Sequence, residues 1–396
     1  MELKLQGAMQ EILQRAVEEQ EIAGAIALVL HHGKEIAYTE AGWADKADKK
    51  TIRRDNIFRI FSMTKPITGA AAMLLMEQGK IDLAEPVSKY LPGFRGQMVQ
   101  ERDKLVPVCR EVTLHDLLSM TSGISYPGGQ RDVAKLFQGV EEKMQGDNPY
   151  TTQDIANALG RCPLLFQPGT QWDYGASADV LGAVIELVSG MRFGEFLQKH
   201  FFEPLDMQDT AFYVPPEKQA RLAKAYMRSE NGIQELPGAH LGICFDVPQP
   251  PAFESGGAGL ASTIDDYAKF AQMLMNRGEY QGQQLMRPET VRYFTSCRLN
   301  KQQQKSVSWV HMGGYSYGNL MRVMVKPEEA IIMTAKGEYG WDGWLGTYFA
   351  NDPKNELTLL MMTQRTEGGN LTIARKLCNV VYSRLEALQR GSKAGF

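Results

Sequence analysis

The sequence has no stretch of 18 or more apolar residues free of charge, so no membrane span is expected. Its first twenty residues read as an amphipathic polar helix. They have no basic segment followed by an apolar one, so no signal peptide is expected. Charge of one sign is also missing. The 43 basic and 46 acidic residues are spread along 396 positions and leave a net charge of −3. That balance points to neither a nucleic-acid surface nor a membrane-binding patch. Cysteine and histidine are scarce. The five cysteines (Cys109, Cys162, Cys244, Cys297 and Cys378) are odd in number and widely spaced, which fits neither a disulfide framework nor a zinc knuckle. Reduced thiols in a cytoplasmic protein are the expectation. The six histidines form no metal spacing such as H-E-x-x-H, and no metal or cofactor is expected.

What the chain does have is core. Hydrophobic residues make up 43% of it, and their pattern changes along the chain. Residues 23–30 and 35–38 flank His31-His32-Gly33 and read as a hairpin. The run 58–61 is short and extended. Residues 65–78 turn helical, with Pro66 in the first turn and Gly79 as the stop. Helices and loops then dominate to about residue 270. Thr113 and Ser262-Thr263 stand as caps, and residues 179–188 form an apolar helix before Gly190. Strands are expected again at 318–325, 330–334, 346–350 and 357–363, with Tyr315 to Gly318 at the start of a core strand. A last helix is expected at 371–388, and the tail 391–396 is expected to be mobile. Strands at both ends with helices between imply a discontinuous α/β domain, residues 1–80 and 270–396, interrupted by a mainly helical domain, residues 81–269. The sheet is expected to be antiparallel and flanked by helices, with the active site in the cleft between the domains.

Ser62-Met63-Thr64-Lys65 is an S-x-x-K tetrad placed where an extended run meets a helix. The N–H groups at a helix start are unpaired, and the dipole there favours negative charge. A serine at that point has an oxyanion donor in its own N–H. Lys65 lies on the same helical face, and a desolvated lysine has a lowered pKa and can take the serine proton. Taken alone, the tetrad also fits an N-cap serine followed by a solvated lysine.

The wider context decides between these. Phe58-Arg59-Ile60-Phe61-Ser62-Met63-Thr64-Lys65-Pro66-Ile67-Thr68 resembles the serine motif of class C β-lactamases and of their esterase relatives, the family VIII carboxylesterases. The resemblance continues through Gly79 to Leu83, Tyr90-Leu91-Pro92, Thr121-Ser122-Gly123, Gly256 to Leu260, and Gly346-Thr347-Tyr348. It therefore spans nearly the whole chain in order. It implies a β-lactamase/transpeptidase-like fold with Ser62 as nucleophile and Lys65 as its partner.

In the second motif, Trp172-Asp173-Tyr174-Gly175-Ala176, the tyrosine of the family's Tyr-x-Asn is present and the asparagine is not. This is similar to the esterase branch. Tyr174 would relay the serine proton, and whether it or Lys65 is the base stays open. No Lys-Thr-Gly tripeptide occurs. Trp341-Asp342-Gly343 looks like the Trp-x-Gly of the esterases, and on that alignment Trp344 would offer a second oxyanion N–H. Lys336-Gly337-Glu338 is the rival segment, and Trp341 and Trp344 could instead be surface aromatics of a turn. Without a cation on that strand, carboxylate-bearing β-lactams and peptidyl-D-alanines lose their natural partner, while a tryptophan lines an apolar pocket. The expectation is therefore a serine carboxylesterase acting on a small ester. The alternatives are a β-lactamase or D,D-peptidase, an acyltransferase of the same fold, and a non-catalytic relative. The oligomeric state is not readable from the sequence.

Overall fold

The computed structural model of the chain describes residues 2–385 except 145, 147, 148, 231, 247 and 370. The expected mobile tail and the last residues of the expected final helix lie outside the described residues.

Eight strands form the main sheet. They are β1 (Gly24–His31), β2 (Lys34–Asp45), β3 (Lys50–Thr51), β4 (Tyr315–Gly318), β5 (Met321–Met324), β6 (Tyr339–Asp342), β7 (Tyr348–Asp352) and β8 (Leu357–Thr363). Their order across the sheet is β4-β5-β6-β7-β8-β1-β2-β3, and every pairing is antiparallel. Among the helices that pack on the sheet or on one another are α1 (Glu2–Glu18), α2 (Thr64–Glu77), α3 (Ser177–Ser189), α4 (Ile264–Met275) and α5 (Thr372–Tyr382).

Strand β1 shows why its sequence is apolar throughout rather than alternating. All eight of its residues are buried. Ala25, Ala27 and Val29 face the helices α1 and α5, where they meet Met9, Leu13 and Leu377. Ile26, Leu28 and Leu30 face the main core on the other side of the sheet. A strand covered on both faces has no solvent side to keep polar. Helix α2 is likewise buried at twelve of its fourteen positions and passes through the middle of the molecule. A helix apolar all round belongs inside a core.

Strands β1 and β8 lie where the sequence places them. Strand β2 runs on to Asp45, well past the expected 35–38, and residues 50–51, which read as a solvated loop, pair as β3. Two expectations at the C-terminal side are also corrected. Residues 330–334 form no strand. Ile331 and Met333 point outward, 54% and 52% exposed, and the Met333 N–H bonds the Asn379 side chain instead of a ladder partner. The strand in question is β6, whose Gly340 and Asp342 hide it from a hydrophobicity reading. The expected strand at 318–325 is a hairpin, β4 and β5. Asn319 and Leu320 make the turn with φ of 52° and 68°.

Between the two halves of the sheet, Thr113 caps Leu114–Ser119 through the Asp116 N–H in a capping box. Gly190 closes α3 in the left-handed conformation. Thr263 caps α4 by accepting from the Asp266 N–H.

Candidate active site

A two-residue strand, Phe58–Arg59, pairs with Ala261–Ser262 and delivers the chain to a single 3-10 turn, Phe61–Met63. Ser62 sits in that turn, and α2 begins two residues later. Phe61 adopts φ +43°, a left-handed conformation that an aromatic residue rarely takes. Strain of this kind persists where the surroundings over-determine it, and it clusters at functional sites.

Lys65 lies one helical turn on, with no exposed surface. Its ammonium donates to Ser62 Oγ at 3.2 Å, to the Tyr126 hydroxyl at 2.8 Å and to the Gly257 carbonyl at 2.8 Å. Burial lowers its pKa to about 7, against the pull of the Asp179 carboxylate. The sequence reading of a solvated lysine is thereby excluded.

Tyr174 brings its ring within 4.6 Å of the Lys65 ammonium, and its hydroxyl accepts a hydrogen bond from Trp341 Nε1 at 3.0 Å. Burial raises the phenol's pKa, while hydrogen bonding with Ser62 and Trp341 pulls the other way. Trp341 is a buried residue of β6. Gly343 follows it at a point where no side chain fits. A Cβ there would stand 2.2 Å from Thr347 Oγ1 and 2.4 Å from the Ile60 carbonyl. That closeness ties the strand to the serine turn, because Thr347 Oγ1 also donates to the Ile60 carbonyl. Trp344 stacks on His240 with ring centroids 3.8 Å apart and planes 14° apart, and lies 5.2 Å from the Phe61 ring. Both tryptophans line the cleft rather than the outer surface.

The structure thus brings Ser62, Tyr174, Trp341, Gly343 and Trp344 to one cleft of about 660 Å³, with Lys65 buried directly behind Ser62. Lys336 is not among its walls; it is exposed at the turn before β6. The chain also carries one G-x-S-x-G pentad, Gly314-Tyr315-Ser316-Tyr317-Gly318. It runs along β4 into a hairpin, and Ser316 is buried, so it forms no strand-to-helix nucleophile elbow.

Three contributors were not identified from the sequence. Tyr126, on the loop after Gly123, is the phenol that Lys65 bonds directly. Asp179, in the first turn of α3, accepts from the Ser255 hydroxyl and from the Gly257 N–H, and so holds the segment whose carbonyl receives Lys65. Burial raises its pKa, and the Lys65 charge opposes that rise. Gly257 is the third. A Cβ there would come within 2.8 Å of Asp179 Oδ2 and 3.0 Å of the Tyr126 hydroxyl. The one available signal was the Gly256-Gly257 pair, a place where backbones approach closely.

Around these groups the cleft is aromatic. Trp309 makes edge contacts with both Trp172 and Tyr174, with centroids 5.2 Å and 5.3 Å apart. Burial lowers the pKa of His240 to about 4 and also lowers that of His311, which favours their neutral forms. Among the described residues no group of three or more histidines, cysteines, aspartates or glutamates could hold a metal, and no helix is long and apolar enough to cross a membrane.

Residues 9–377 match the Beta-lactamase family. The chain is 30% identical over 402 residues to Esterase EstB of Burkholderia gladioli, covering 96% of each. It is 31% identical over 357 residues to Protein Rv1367c of Mycobacterium tuberculosis, covering 87% of this chain and 86% of that one. Among solved structures it superposes on EstCE1, a hydrolase with promiscuous acyltransferase activity, with a TM-score of 0.82 and 26% identity over 96% of this chain and 99% of that one. By its sequence and its fold, the chain belongs to the Beta-lactamase family and is a serine hydrolase.

Proposed function

We propose that the protein is a carboxylesterase that cleaves small carboxylic esters through an acyl-enzyme on Ser62. The observation that carries this reading is the setting of Lys65: fully buried, in hydrogen-bond contact with Ser62 Oγ, and with a pKa brought down to about 7. A general base works best when its pKa lies near the working pH. The Tyr174 phenol, pushed upward, is suited to the complementary role of proton donor.

Neutral Lys65 takes the Ser62 proton as Oγ bonds to the ester carbonyl carbon. The N–H groups of Ser62 and Trp344 hold the oxyanion. The tetrahedral intermediate collapses, the ester C–O bond breaks, and the leaving alkoxide takes a proton from Tyr174, which Lys65 reprotonates. Water then repeats the sequence on the acyl-enzyme, regenerating Ser62 and releasing a carboxylic acid. The division of the chain into an α/β part (1–80 and 270–396) and a helical part (81–269), with the cleft between them, belongs to the same proposal.

An ester rather than a β-lactam is favoured by the charges of the cleft. The strand position of the family's lysine holds Trp341, and the next residue is an acid, Asp342. Lys65 is fully engaged, and the two histidines favour their neutral forms. A substrate carboxylate finds no free cation among the described residues that line the cleft. The similarity to Esterase EstB supports the same choice.

The test is hydrolysis of 4-nitrophenyl butyrate and of nitrocefin by wild type and Ser62→Ala. The expected result is ester turnover by wild type, background turnover by the variant, and poor nitrocefin cleavage by both. Nitrocefin as the better substrate would move the assignment to β-lactamase. Unchanged ester turnover in Ser62→Ala would remove Ser62 as nucleophile.

A further inference from the structure

The wall that replaces the family's lysine strand has a charge of its own. Asp342 is the last residue of β6 and the least buried of its four, and it lines the cleft beside Trp341. One of its carboxylate oxygens, Oδ1, accepts from Arg322 Nη1 at 2.8 Å. Arg322, a residue of β5, has 2% of its side chain exposed and is not among the residues lining the cleft, so it presents no charge to the cleft directly. It is also shared. Its Nε faces Glu338 Oε1 at 3.8 Å, and its Nη2 donates to the Phe349 carbonyl. Glu338 Oε1 makes no hydrogen bond to it, so the guanidinium is held chiefly by Asp342 Oδ1 and the Phe349 carbonyl, while the second Asp342 oxygen, Oδ2, takes no hydrogen bond from the described residues. Burial keeps His311 toward the neutral form; the Asp342 charge opposes this, and those of Arg322 and Arg375 reinforce it.

Beside the acid stand aromatic faces. Trp309 and Trp341 flank the Tyr174 ring, each with its centroid 5.3 Å away. Trp309 keeps 37% of its surface exposed at the mouth of the cleft. A partly compensated carboxylate next to indole and phenol faces is the combination that receives an organic cation. The same surface offers a carboxylate no cation among the described residues that line it.

Resting on the esterase reading above, we propose that Asp342 is a specificity-determining residue and that, with Trp309, it selects esters carrying an ammonium group over neutral isosteres, and neutral esters over those carrying a carboxylate. The preference belongs to the ground-state recognition of the charged end, so it is readable without turnover.

The experiment is calorimetric titration of the wild-type protein with three alcohols of similar size: choline, its uncharged isostere 3,3-dimethylbutan-1-ol, and 3-hydroxypropanoate. Wild type is expected to bind choline about tenfold more tightly than the isostere, the size of effect that a desolvated cation–π contact with a nearby acid provides, and to bind the anion most weakly. Raising the salt concentration is expected to narrow the gap. Asp342→Asn is expected to shrink the choline preference to about twofold and to improve binding of the anion. Because that variant disturbs a partner of buried Arg322, Trp309→Ala serves as the second one. It touches no ion pair, and it is expected to weaken choline more than the isostere. Equal binding of choline and the isostere to wild type, or a choline preference that survives in both folded variants, would overturn the proposal. None of these readings depends on hydrolysis, so a failure of the esterase reading would show separately, in the 4-nitrophenyl butyrate assay.

Discussion

The two ends of the cleft are built on opposite principles. At the Lys65 end, polar groups are dry and saturated. The ammonium has three acceptors, and Asp179 takes hydrogen bonds from Ser255 and Gly257. At the tryptophan end, rings supply most of the surface, and Trp309 and Trp344 remain partly open to solvent. The first arrangement fixes a proton affinity, because a fully desolvated lysine answers sharply to each neighbour. The second fixes shape and tolerates change, because ring contacts depend less on exact geometry. Chemistry is thus concentrated at the end where one altered atom matters most, and selection at the end where a change is graded.

If that division holds, variants at the lysine end should cost far more than variants among the rings. Lys65→Arg keeps the positive charge but cannot deliver a neutral base. Its kcat/KM for 4-nitrophenyl butyrate is expected to fall by about 10³-fold or more in stopped-flow or steady-state assays. In wild type the same group sets the pH profile. Lys65 must be deprotonated to accept the serine proton, so kcat/KM should rise with pH and level off above about 7. A profile flat from pH 5 to 9 would contradict the assignment of Lys65 as base.

The two phenols sharpen the comparison. Tyr174→Phe removes the proposed proton donor and is expected to lower kcat by about 10²-fold. Tyr126→Phe removes only an acceptor of the Lys65 ammonium. It should cost less, about tenfold, and should move the pH limb downward, because the charged form of Lys65 loses a stabilising partner. If Tyr126→Phe proved the more damaging of the two, the phenol roles would have to be exchanged.

Much of the lysine end was legible in the sequence because its parts lie close together in the chain. The S-x-x-K spacing leads directly to the 3.2 Å contact between Lys65 and Ser62, since residues three apart share a helix face. Strand β1 was legible because double burial writes itself as a continuous apolar run. Tyr126 was not, since it sits on a loop whose sequence has no period to read. Asp179 was hidden by a common alternative: an acid in the first turn of a helix usually complements the dipole, and nothing local shows that this one turns inward to Gly257. Strand β6 escaped because two of its four residues are glycine and aspartate, while Ile331 and Met333 nearby mimicked a strand and proved to be surface residues. The part missed is the part made by contacts distant in sequence.

The measurement that tests the central claim most directly is intact-mass and peptide-map analysis of the protein quenched in acid during turnover of 4-nitrophenyl butyrate. The account predicts a mass increase of one butyryl group, carried by the peptide that contains Ser62 and lost on standing in buffer before the quench. No adduct during turnover, or an adduct on another peptide such as the one containing Ser316, would contradict it.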